Sequence, residues 1–158
     1  MTHILDELIS DYPHTHPYAG IQVRAVPGLA GCNYLQPGVM AAATWVFGHV
    51  TNHLTSLPNN PYDKSSLKAA TYDWRMPPAF LEERDRYFSN LVRSIEKMYE
   101  ENGERPVVLL GHSMGCKMGH YFPNWVVNNG PGCVDCEVRD GEAWMRKYVI
   151  SRPCLQIY

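Results

Sequence analysis

"RPVVLLGHSMGCKMGHYF", residues 105–122, holds a proline, an apolar run, a serine two residues from glycine on either side, and a helix-like stretch. "PVVLLG" has the length and continuous apolar character of a strand covered on both faces. Gly111-His112-Ser113-Met114-Gly115 follows it directly, satisfying G-x-S-x-G between a strand and a helix. Only three positions of that pattern are fixed, so chance produces it often. The strand before and the helix after are what favour a nucleophile elbow. A serine hydroxyl is a weak nucleophile unless it is exposed, rigidly held and bonded to a base. A sharp strand-to-helix bend exposes it, and Gly111 and Gly115 let strand and helix approach closely. The helix start adds partial positive charge, and the Met114 N–H can face a developing oxyanion. His112, beside the serine on the bend, reads as a packing residue, because a base has to arrive from another loop. His120, seven residues on, lies roughly 10 Å away by helix rise and reads as structural.

Outward from this stretch, the firmest element is a helix from about Ala79 to Asn102. Phe80, Arg84 (by its stem), Phe88, Leu91, Val92, Ile95, Met98 and Tyr99 form its apolar stripe. Glu82 and Arg86 are spaced for an i,i+4 pair on the opposite face, and Gly103 stands where a helix stops. "LKAATYDW" (67–74) reads as a short strand. The middle of the chain is therefore strand, helix, strand, helix: a βαβα unit of a parallel sheet flanked by helices. Upstream, residues 4–9 suggest a short helix, "IQVRAV" (21–26) a strand, 27–38 a loop, 39–57 a helix and 58–66 a turn. Pro123 is expected to break or kink the helix after the elbow, displacing "NWVV". Beyond Pro131 only "WMRKYVI" reads as an element.

The 158 residues suffice for one core, burying roughly 68–70% of the unfolded surface. With a formal net charge of −2 and no Lys/Arg-rich block, the chain has no feature that calls for nucleic acid. The first twenty residues make a poor secretory signal, and "GVMAAATWVFGHV" is too short to span a bilayer. Five scattered cysteines read as mostly free thiols, with Cys133-x-x-Cys136 incidental rather than a zinc half-site or redox pair. His3, His14 and His16 read as an exposed polar terminus; no metal and no cofactor is expected. Tyr121, Phe122 and Trp125 could line a lipid cleft, but at helical spacing they read as core.

Several stretches together resemble one family. "IQVRAVPGLAGCNYLQPG", "AATYDWRMPPAFLEERDRYFSNLVRSIEKMYEENGERPVVLLGHSMG" and "HYFPNWV" are similar to the lecithin:cholesterol acyltransferase family, nearest its phospholipid:diacylglycerol acyltransferase branch. "YDWR" (72–75), "ERD" (83–85) and "HSMG" (112–115) carry most of the likeness, which covers about residues 20–128. The resemblance implies an α/β class of α/β-hydrolase fold, present here as its central portion, so residues 1–158 are expected to form a single partial domain. It implies Ser113 as nucleophile and the Met114 N–H as an oxyanion donor; Asp73 and Arg75 fall in its YDWR stretch, where their charges suit either a pair shaping a loop near the site or an ordinary polar cluster at a strand end. It also implies a phospholipid acyl donor, a diacylglycerol or sterol acceptor, and an endoplasmic reticulum or other membrane-associated setting for the full-length protein. The triad Asp and His are expected beyond Tyr158, so the 158 residues alone are expected to be inactive. A serine lipase or phospholipase is the near rival, and a non-catalytic fragment the more distant one.

Overall fold

The computed structural model describes residues 24–35, 43–59, 62–63, 66–130, 133, 136, 138–151 and 154–155. The expected helix at 4–9, the start of the 21–26 strand, the start of the 39–57 helix and the N-terminal histidines lie outside them. Helices α1 (Ala30–Asn33) and α2 (Gly48–Ser56) come first, then α3 (Pro78–Asp85) and α4 (Tyr87–Glu101). Strands β1 (Val107–Val108) and β2 (Gly111–His112) lead into α5 (Met114–Asn129). Helix α6 (Gly141–Tyr148) and strands β3 (Val149–Ser151) and β4 (Cys154–Leu155) follow. β1 pairs with β3 and β2 with β4, both in parallel, with Val107 opposite Val149 and Gly111 opposite Cys154.

The parallel α/β character holds, but other strands supply it. Residues 67–73 have no regular secondary structure and join no ladder among the described residues, so the expected first strand is absent from the pairing. The "PVVLLG" run divides into two short pieces, each with a partner from the C-terminal part. It is not covered on both faces either. Val107 and Leu109 pack against the core, while Val108 and Leu110 are exposed.

The 79–102 helix is two helices. Arg86, at φ 52° and ψ 40°, takes the left-handed conformation that ends α3 and starts α4. Glu82 is therefore free of Arg86 and caps α4: its Oε2 accepts from the Phe88 and Ser89 N–H groups at 2.8 and 3.2 Å, and its Oε1 from the Ser89 hydroxyl at 2.5 Å. These bonds satisfy donors that a helix start leaves unpaired. The apolar stripe of α4 is as expected, with Phe88, Val92 and Ile95 buried.

The 39–57 helix is shorter than its Ala-rich sequence suggests. Leu35 N–H donates to Thr44 O and Val46 N–H to Asn33 O, and this pairing holds residues 44–46 away from helix until Gly48. Pro123, by contrast, does not interrupt α5, which runs through to Asn129. Its missing N–H removes the i−4 bond to the Gly119 carbonyl. Burial of Phe122, Trp125 and Val126 on the inner face offsets the lost bond.

Phe88, fully buried, lies at the centre of the core. Its ring is 5.4 Å from Trp125, 6.3 Å from Phe122 and 5.2 Å from Tyr121. Phe122 and Trp125 are thus core residues, and Tyr121 sits at the edge. Helix α6 begins at an Asp140 cap, whose Oδ1 accepts from the Glu142 and Ala143 N–H groups. Gly141 lies against α5: a Cβ there would come within 2.5 Å of Val126 O. Trp144 then donates through Nε1 to the buried Glu96 carboxylate of α4 at 2.8 Å. The cysteines need correction. Cys133 and Cys136 form a disulfide, their Cα atoms 5.6 Å apart, and Cys116 is disulfide-bonded too. Cys32 is the free thiol among the described residues.

Glu82→Ala should destabilise the chain by about 1–2 kcal/mol in urea unfolding, the cost of a lost helix cap. Arg86→Ala should stay within about 0.5 kcal/mol, since no Glu82–Arg86 pair exists to lose.

Candidate active site

Strand β2 ends at His112 and helix α5 begins at Met114, leaving Ser113 alone to turn the chain. It does so at φ 53° and ψ −121°, a conformation unfavourable for any residue with a Cβ. Such backbone strain costs of order 1–3 kcal/mol and persists only where the surroundings impose it. Here the imposing contact is at Gly111. A Cβ there would meet Gly115 O at 2.9 Å and Cys116 N at 3.0 Å, so strand and helix backbones already touch. Gly115 differs from expectation: a Cβ on it would meet nothing within 4 Å, and its role in the close approach is its backbone alone.

The outcome is an exposed Ser113 at the start of a sixteen-residue helix. Its carbonyl accepts from the Cys116 N–H at 3.0 Å. The Met114 N–H, first of α5, has no acceptor within the helix and lies at the positive end of the helix dipole. The Met114 side chain is exposed. His112 packs edge-on to Phe47, ring centroids 6.3 Å apart, and His120 is exposed on α5. Among the described residues, none hydrogen-bonds the Ser113 hydroxyl.

Asp73 and Arg75 form a two-pronged pair. Arg75 Nε donates to Asp73 Oδ1 and Nη2 to Oδ2, both at 2.8 Å. Asp73 is buried while Arg75 remains partly exposed. Arg84 adds a third donor at 3.3 Å and grips Asp85 at 2.6 and 2.9 Å; Asp85 in turn faces Arg24 at 3.2 Å. "YDWR" and "ERD" are therefore one ionic network with Arg84 as the bridge. Sequence reading gives Arg84 only a packing role on the helix stripe and misses this. The alternation of charges across the two motifs is the available signal. The Arg75 guanidinium, helped by Arg84, holds the Asp73 carboxyl well below the usual carboxylate range, against the opposing effect of burial. No described hydrogen bond or ion pair links this network to Ser113.

The chain belongs to the lecithin:cholesterol acyltransferase family, whose sequence profile matches residues 6–152. Among individual proteins, it is 33% identical over 129 residues to the phospholipid:diacylglycerol acyltransferase of Saccharomyces cerevisiae, covering 82% of this chain and 18% of that protein. A putative phospholipid:diacylglycerol acyltransferase 2 of Arabidopsis thaliana is 35% identical over 133 residues, covering 84% of this chain and 18% of that protein. The phosphatidylcholine-sterol acyltransferase of Rattus norvegicus is 35% identical over 107 residues, covering 65% of this chain and 22% of that protein. The chain thus spans about a fifth of the length of these three relatives.

Gly111→Ala should destabilise by more than about 2 kcal/mol, because the new methyl meets fixed backbone, whereas Gly115→Ala should be neutral or stabilise by up to about 1 kcal/mol. Asp73→Asn should cost about 1–3 kcal/mol at pH 7. Since the folded state depresses the Asp73 pKa, its contribution is complete above the ordinary carboxyl pKa and is lost as pH falls below it. The stability gap between parent and Asp73→Asn should therefore narrow steadily from about pH 5 downward, read by chemical unfolding at each pH.

Proposed function

We propose that this chain carries the nucleophile segment of a lipid O-acyltransferase built on an α/β-hydrolase fold. Ser113 would take a fatty acyl group from a phospholipid and pass it to diacylglycerol or a sterol. The observation that supports this most is the positive-φ turn at Ser113, which keeps a serine exposed at a helix N-terminus at a cost in backbone energy. In the first half-reaction Oγ attacks the phospholipid ester carbonyl while a base takes its proton. The oxyanion faces the Met114 N–H, and its collapse, with the base returning that proton to the leaving glycerol oxygen, releases lysophospholipid and leaves acyl-Ser113. In the second half-reaction the acceptor hydroxyl attacks that ester, and the same base takes its proton and gives it to the departing Oγ, restoring the Ser113 hydroxyl. The base and its orienting carboxylate come from family segments other than the described residues, in the chain order Ser, Asp, His. Asp73, Arg75 and Arg84 brace the loop ahead of α3 and take no part in proton transfer. No helix among the described residues is long and apolar enough to cross a membrane. Lipid substrates call for work at a membrane surface, in the endoplasmic reticulum or another membrane compartment.

Transfer and hydrolysis differ only in what attacks the acyl-enzyme. The test is a chimera in which this chain replaces the matching stretch of the yeast relative, supplied with labelled phospholipid and diacylglycerol. The chimera should form triacylglycerol, and Ser113→Ala should lower the rate at least about 10³-fold. Labelled free fatty acid in place of triacylglycerol would assign a lipase. A folded chimera whose activity survives Ser113→Ala would remove the serine from the mechanism.

A further inference from the structure

Trp74 occupies the tip of the turn Asp73–Met76 and is 71% exposed, unusual for so large an apolar side chain. The turn is held on every side. Met76 N–H donates to Asp73 O at 3.0 Å, Arg75 N–H to Asp73 Oδ1 at 3.3 Å, and the Arg75 guanidinium closes the two-pronged pair. Pro77 and Pro78, the latter the first residue of α3, fix the chain on the far side. These bonds fix the backbone of the turn that carries the indole. A pre-formed exposed tryptophan loses little freedom when it inserts into another phase, and indole favours the boundary between headgroups and acyl chains. Beside it, the Arg75 side chain is 38% exposed; Nε and Nη2 hold Asp73, and the outward Nη1 N–H groups are the donors left to meet a phosphodiester.

We infer that the Trp74–Arg75 turn is a docking point for a zwitterionic phospholipid surface, the indole entering the interface and the guanidinium meeting lipid phosphate. The charge balance favours zwitterionic over anionic lipid: the net charge is −2 and no basic block exists to draw the chain to an anionic leaflet. The inference deepens the acyltransferase reading, since it names the surface from which the donor is taken, and it rests on that reading for its biological meaning.

The other tryptophans make the test direct. Trp125 and Trp144 are buried and Trp45 is half-buried, so indole emission that responds to lipid reports on Trp74. Adding phosphatidylcholine vesicles to the 158-residue chain should shift its emission to shorter wavelength, and brominated acyl chains should quench it. Trp74→Phe should abolish both responses while co-sedimentation with vesicles stays within about threefold. Trp74→Ala should weaken co-sedimentation about tenfold, the loss of one large buried side chain. Circular dichroism of both variants should match the parent. Emission unmoved by vesicles, a shift that survives Trp74→Phe, or unaltered binding by Trp74→Ala would each overturn the inference. Vesicle binding by Ser113→Ala should equal the parent's, so failure of the chimera to transfer acyl groups and failure of the turn to bind vesicles are distinguishable.

Discussion

Two opposed demands meet at Phe88. Its ring has to lie at the centre of an aromatic cluster drawn from α4 and α5, and its backbone N–H has to find an acceptor at the first turn of α4. A continuous helix through Arg86 would answer the second demand but would present the following residues at a different angle. The left-handed Arg86 and the Glu82 carboxylate together resolve the conflict. The break redirects α4 toward α5, and a side chain replaces the acceptors the break removes. Once α4 is set, α5 packs on it through Phe122 and Trp125, and the position of α5 determines where Ser113 emerges.

The family's separate sequence signatures become one mechanical frame at this level. Asp73 lies before α3, Arg84 and Asp85 at its end, and Arg24 reaches in from the N-terminal side. Only Asp73 is deeply buried, and three guanidinium N–H groups of two arginines and the Arg75 backbone N–H face it. A buried carboxylate with that many donors is costly to leave unpaired, so the network specifies how the turn and helix meet more than it adds net stability. Gly111 sets the other end of the frame, where strand and helix backbones touch and Ser113 turns the chain at positive φ.

Much of this is legible in the residues, unevenly. The α4 stripe is plain because Phe88, Val92 and Ile95 recur at helical period, and the strand–serine–helix order is plain because glycines bracket it. The break at Arg86 is hidden: nothing local forbids helix there, and the cause lies in tertiary packing and a side-chain cap. Residues 67–73 have strand-like composition, yet composition does not supply a neighbour to pair with. The α6 start is readable in principle from Asp140 followed by Glu142, a cap before an acidic first turn, but a glycine-containing stretch obscures it. Pro123 misleads in the opposite direction, because burial on one face of α5 outweighs one absent hydrogen bond.

The strand that delivers the serine is paired not with its neighbours in the chain but with β4, some forty residues on, and β1 waits likewise for β3. A nascent chain that had just finished α5 would hold the bend only loosely, since the ladder that fixes Gly111 and His112 would not yet have been made. Loop-closure entropy makes such distant parallel pairing slow. During synthesis the local helices would assemble first and the bend at Ser113 would be locked late, after α6 has carried the chain back alongside.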